Sequence, residues 1–230
     1  MPILRRINED PETIWRPVPE GLWRFIVGKP LLVPPDRYGW QVRFPLMLTE
    51  AEKDRTVNEL GDLEPGEQQS SRVTYQTGLS LMYMKDGKPQ TTRLIDFLTA
   101  CLGSQNTKKF REWCESGGGP PKPADRNDDK AELALIEEWL GWWDNLEVYG
   151  TVTHKPSTKD PTKPWAQFAG PMAVGSLPGQ KDDEYQAHGR GKLRAIIQAS
   201  EDQPVASGPA VRYTPDGKQV PGDGSAELPF

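Results

Sequence analysis

Apolar and polar residues alternate in three stretches before the first helical pattern begins, and these stretches define the expected strands. Residues 1–20 form an arm with too many prolines and charges for regular structure. Strand signals open at Leu22, where Leu22-Trp23-Arg24-Phe25-Ile26-Val27 runs into Leu31-Leu32-Val33 across Gly28 and Pro30, predicting one long strand with a break or bulge. In the next stretch Trp40, Val42, Phe44, Leu46 and Leu48 recur with a period of two, which is a strand with one buried face. A charged, glycine-containing loop is expected at 50–70. Arg72 to Met84 then reads as extended, with Val73, Tyr75, Leu79, Leu81 and Tyr83 on its apolar phase and Asp86-Gly87 as the following turn.

The period changes at Leu94. Leu94, Phe97, Leu98, Cys101 and Leu102 recur at helical spacing behind Thr91 or Thr92 as a cap, and Gly103 ends the helix. A second helix is expected from Lys108 to Glu115, stopped by Gly117-Gly118-Gly119-Pro120-Pro121, with a loop running on to about Asp129. A third, Lys130 to Trp142, carries Leu133, Ile136, Leu140 and Trp143 as its stripe. Eight tryptophans are many, and Trp113, Trp139, Trp142 and Trp143 are expected to pack this block against the strands.

Strands resume at Leu146. Leu146 to Thr153 alternates sharply, a hydrophilic segment follows at 154–164, and Trp165-Ala166-Gln167-Phe168-Ala169 closes the series. The reading is mainly β with a helical insertion at about 90–144, in a domain spanning 21–178. Three strands, helices, then two strands joined by a basic hairpin is the order of a five-stranded oligonucleotide-binding (OB) barrel. The helical block is longer than that fold needs, and an α+β domain with another sheet order gives the same pattern.

On the polar phases of these strands lie the residues suited to holding a single strand of nucleic acid, which takes exposed rings for stacking and cations for the backbone. With Val148, Gly150 and Val152 inward, Tyr149, Thr151, Thr153 and Lys155 point outward together, and the hairpin adds Lys159, Lys163 and Trp165. Gln41, Arg43, Arg72, Thr74 and Gln76 share the corresponding face of the second and third strands. The DNA-contacting set is therefore Arg43, Arg72, Tyr149, Lys155, Lys159, Lys163 and Trp165. The plainer reading makes Trp40, Phe44, Tyr75 and Tyr83 core, leaves Tyr149 and Trp165 open between core and stacking platform, and treats the hairpin lysines as solvated charges partly offset by Asp160.

From Gln180 onward large apolar residues are few and Gly, Pro, Asp, Gln and Ser are common, so 179–230 is expected to be a disordered tail. Net charge is −5, and residues 201–230 carry five acids against two bases, which leaves the body close to balance. Any nucleic-acid surface must be local. The tail ends in Asp223, Glu227, Leu228, Pro229 and Phe230, an acidic segment with an apolar-Pro-Phe tip that offers a ring and a carboxylate to a partner pocket. That ending resembles the tail of bacterial and phage single-stranded DNA-binding proteins, although here two separated acids replace a continuous run. The resemblance implies an OB domain that coats single-stranded DNA without sequence preference, and a tip that recruits replication, recombination or repair proteins.

Enzyme signatures are poor. Gly117-Gly118-Gly119 lacks the Gly-Lys-Ser/Thr of a phosphate loop, and Cys101, Cys114, His154 and His188 are scattered without metal-ligand spacing. The acids Asp182-Asp183-Glu184 read as a solvated run, as do Asp125, Asp128 and Asp129. No catalytic residue, metal or cofactor is expected. The alternatives are a non-catalytic adaptor with an OB-like fold, which the balanced body would suit, and a metal-dependent nuclease. The two cysteines are a poor disulfide framework and no run is long enough to span a membrane, so a reducing bacterial cytoplasm is expected; a homo-oligomer is compatible with all of this.

Overall fold

A computed structural model describes residues 14–36, 39–60, 63, 67–80, 82–85, 88–123, 128–157, 164–202, 212–213 and 219–220. In chain order the elements are β1 (Ile14–Arg16), β2 (Gly21–Val27), β3 (Leu31–Asp36), β4 (Gly39–Leu48), α1 (Glu50–Leu60), β5 (Glu67–Gln69), β6 (Arg72–Gly78), β7 (Met82–Lys85) and β8 (Lys88–Thr91). After them come α2 (Arg93–Ala100), α3 (Thr107–Glu115), α4 (Asp129–Gly141), β9 (Glu147–Lys155), β10 (Trp165–Met172), α5 (Asp183–Glu201), β11 (Arg212–Tyr213) and β12 (Gln219–Val220). This is an α+β protein. Its main sheet has six antiparallel strands.

The sheet is built around β4, whose ten residues outreach every neighbour. One edge pairs with β2 (Phe25↔Leu48, Val27↔Leu46) and then with β3 (Leu31↔Arg43, Val33↔Gln41), while the other carries β6 from Gln41↔Gly78 to Met47↔Arg72. β2 continues to β9 (Trp23↔Gly150, Phe25↔Val148), and β9 pairs with β10. The single long first strand read from the sequence is thus two strands. Pro30 has no N–H to give, and Gly28 turns its amide to the Pro45 carbonyl at 2.8 Å, so the ladder breaks between them.

A five-stranded closed barrel is not what the hydrogen bonds describe. Among the described residues the sheet remains open: β6 and β10 lie side by side, with the Tyr75 and Phe168 rings 5.4 Å apart, but no ladder joins them. The inward phases behave as expected. Val42, Phe44, Leu46, Val73, Tyr75, Val148, Val152 and Phe168 are buried, and Phe97 from α2 enters this core with its ring 4.6 Å from Phe44 and 4.7 Å from Tyr75. Trp40 is only half-buried, and the Tyr83 side chain lies outside the described part.

The helices α2, α3 and α4 lie where the 3.6-residue period places them, and they pack through Trp139 and Trp143, whose rings are 4.7 Å apart. Trp143 donates its indole N–H to the Leu98 carbonyl at 2.8 Å. Both cysteines are free and buried, and burial pushes the Cys114 thiol up to about 12. Among the described residues no helix is long and apolar enough to cross a membrane.

Four further expectations change, the first being the strand read from Arg72 to Met84, which stops at Gly78 while Met82–Lys85 forms the separate strand β7 paired with β8. The 50–70 loop contains α1, which docks by a cation: Arg55 lies over the Trp23 ring at 3.8 Å and donates to the Leu22 carbonyl at 2.7 Å. The N-terminal arm contains β1, which pairs in parallel with β5. The stretch after Gln180 is not tail throughout, because Asp183–Glu201 is α5 with Leu193 and Ile196 buried. Glycine rather than apolar bulk seats that helix: a Cβ on Gly189 would stand 2.1 Å from the Leu102 carbonyl oxygen, so only glycine lets the backbones meet.

Candidate nucleic-acid interface

On the outward face of β4 and β6, Arg43 stands directly opposite Gln76. Its Nε and Nη2 both donate to Gln76 Oε1 at 3.2 Å, and Gln76 Nε2 donates in turn to Gln41 Oε1. On the neighbouring pair of strands the register sets Trp165 opposite Lys155 and Gln167 opposite Thr153, all on the outward phase. Between the two sets runs a groove of about 980 Å³. Arg43, Gln76, Lys155, Trp165 and Gln167 line it, and Arg93 from the first turn of α2 stands at one end.

The groove floor is apolar and its rim cationic. Tyr75 and Phe168 reach up from the core, and the Tyr75 hydroxyl donates to the Arg93 carbonyl at 3.3 Å. Burial raises the Tyr75 pKa, so the phenol stays neutral there. Arg43, Arg93 and Lys155 supply positive charge, while the one lining acid, Asp96, is held by Arg111 at 2.9 Å. Trp165 is 49% exposed, an unusual cost for so large an apolar ring when the other tryptophans with described side chains are buried or half-buried. A flat apolar face beside cations can stack a base and hold its phosphate.

The fold separates the expected contact residues. Arg43, Lys155 and Trp165 come together in the groove. Arg72 is exposed on the same face of β6 but outside the groove lining, and Lys159 and Lys163 lie outside the described residues. Tyr149 points outward as the alternation requires, yet it is 7% exposed. Its hydroxyl accepts from Gln180 Nε2 at 2.5 Å, and the Arg24 guanidinium lies 5.7 Å from its ring.

That second surface is a clamp for α5. Arg24 pairs with Glu147 at 2.5 Å and reaches Asp182 at 3.5 Å. The Tyr185 hydroxyl accepts from the Glu147 amide at 2.8 Å and faces the Cys101 carbonyl at 2.5 Å; burial drives its pKa far up, so it remains a donor. Arg93 and Gln167 were not singled out from the sequence. Gln167 follows Trp165 at the strand period and was within reach of that argument; Arg93 carries no periodic signal and arrives only because α2 begins beside β6.

Among the described residues no group of three or more His, Cys, Asp and Glu side chains could hold a metal ion. The residues of the C-terminal tip, Asp223, Glu227, Leu228, Pro229 and Phe230, lie outside the described residues. No protein-family model matches the chain and no curated protein matches it, so the groove itself is the ground for a functional reading.

Proposed function

We propose that this chain is a sequence-nonspecific single-stranded DNA-binding protein of phage or bacterial DNA replication, recombination or repair. The observation that carries the reading is the convergence of Arg43, Lys155 and half-exposed Trp165 from three strands onto one groove. The strand order supports it. With β2 and β3 taken as one bent strand, the path β10-β9-β2/β3-β4-β6, helices between β6 and β9, and β6 lying beside β10 are compatible with an OB-type strand order, although among the described residues no ladder joins β6 to β10. OB barrels hold single strands by stacking bases on rings and tracking phosphates with cations. Neither action reads the sequence.

The tail is the second half of the proposal. Its Leu228-Pro229-Phe230 tip, with Asp223 and Glu227, suits a pocket with an apolar cavity and a basic rim, and so would bring replication or repair enzymes to coated DNA. The DNA half is tested at Trp165. Trp165→Ala should fold normally and lose about 1–3 kcal/mol of oligothymidine binding, with tryptophan fluorescence quenched by the oligonucleotide in the parent protein only in part retained in the variant. Unchanged affinity and unchanged quenching would remove Trp165 from the interface and favour the adaptor reading, to which the net charge of −5 is no obstacle.

A further inference from the structure

A second groove, of about 620 Å³, opens beyond the Asp96–Arg111 ion pair. Asp96 and Pro171 line both grooves, so the two meet at that pair. The wall of the second is rich in hydroxyls: Thr99 from α2, Ser104 and Thr107 where α3 begins, and Ser176 beyond β10. Arg111 joins them from one turn further along α3.

Two polar atoms in this wall are left over. Thr99 is 1% exposed, and its Oγ1 is buried with no hydrogen-bond partner among the described residues. Arg111 donates from Nη2 to Asp96 at 2.9 Å, whereas its buried Nε has no partner among them. A buried polar group left unpaired opposes folding, and both atoms can donate. The helix end adds to them. Asn106, at the cap position of α3, gives its side-chain amide to the Leu102 carbonyl at 2.7 Å and does not cap the helix, and the first turn holds no acid, so no side chain of the helix's own first turn offsets its positive end. A guanidinium edge, a hydroxyl and a helix N-terminus around one hollow are the donors of an oxyanion site.

We propose that the second groove holds a phosphate group of the same single strand that occupies the first, so that the strand passes over α2 to the start of α3. The inference rests on the single-strand-binding reading above. One phosphate is held there, because among the described residues Arg111 is the only cation lining that groove and Asp96 already neutralises part of it. A strand must be long enough to pass Asp96 before this contact forms. Length dependence is therefore the signature.

The experiment compares oligothymidines of about 4–16 nucleotides, the range one OB fold covers, on the full chain and on three variants. Arg111→Gln should bind the shortest oligonucleotides like the parent and the long ones about tenfold more weakly at low salt, the loss of one hydrogen bond to a charged group. Its salt slope for long oligonucleotides should be shallower by about 0.7, the share of one single-strand phosphate. Asp96→Asn, which frees Arg111, should tighten long oligonucleotides, an opposite sign that general damage to the fold cannot give. Thr99→Val should melt no lower than the parent while weakening the same long oligonucleotides. If Arg111→Gln and Thr99→Val match the parent at every length, or lose equally at every length, the second groove is no part of the path. If the parent protein binds no oligothymidine at all, the single-strand reading fails first and this inference with it.

Discussion

Trp165 and Tyr149 stand on the polar phase of adjacent strands, and the alternation that identifies them cannot say which one water reaches. The fold decides it by what lies above each. Tyr149 is covered by Gln180 and Arg24, whereas Trp165 opens onto the groove. Period two assigns a side chain to a face of a sheet; the cover on that face comes from elements far away in the chain. Arg43 and Lys155 were legible because both stay exposed among the described residues. The two rings should therefore respond in opposite ways: Tyr149→Ala should lower the unfolding free energy by about 3 kcal/mol, the usual cost of emptying a buried aromatic site, and leave oligothymidine affinity of the folded protein unchanged. Thermal melts run beside fluorescence titrations check both halves. A normal melt with weakened binding would put Tyr149 back on the DNA path.

At the scale of elements, legibility followed apolar density. α2, α3, α4, β4, β9 and β10 carry a clear period because each buries large side chains, and their bounds fall within a few residues of the sequence reading, whereas the strand read from Arg72 to Met84 stops at Gly78. α1 and α5 carry no such period. α1 is held by Arg55 against Trp23, and α5 by Gln186 and Gly189, with Gln186 accepting from the Gln105 amide at 3.0 Å and donating to the Val174 carbonyl. Polar and glycine contacts leave little periodic signal, so a packed helix passed for tail. The consequence is a pair of truncations with different outcomes. Ending the chain after Asp202 should keep melting temperature and oligothymidine affinity while abolishing capture of replication or repair enzymes from a bacterial lysate. Ending it after Gln180 removes α5, uncovers Leu102 and takes Asp182 from Arg24, and should lower the melting temperature sharply. Equal melting temperatures for the two would show that α5 contributes nothing to the body, and an unchanged set of captured proteins would end the recruiting role of the tip.

For the molecule as a whole, element order indicated strands flanking a helical block, but it fitted an OB barrel and an α+β domain with another sheet order equally well. The break between β2 and β3 falls where Gly28 and Pro30 mark it, whereas the open seam between β6 and β10 has no signal in the sequence. Net charge is informative in a negative sense: at −5 the protein has no global field to attract nucleic acid, so the proposed binding would rest on the local set Arg43, Arg93 and Lys155 beside Trp165. That makes salt the sharpest probe. The direct measurement is a titration of the full chain with labelled oligothymidine, and with a duplex of the same length, over a series of salt concentrations. The logarithm of the single-strand affinity should fall linearly with the logarithm of salt, by about 0.7 per phosphate contacted, while the duplex, whose bases are already stacked, binds far more weakly throughout. Equal affinity for the two forms, or no binding to either at low salt, would contradict the single-strand groove.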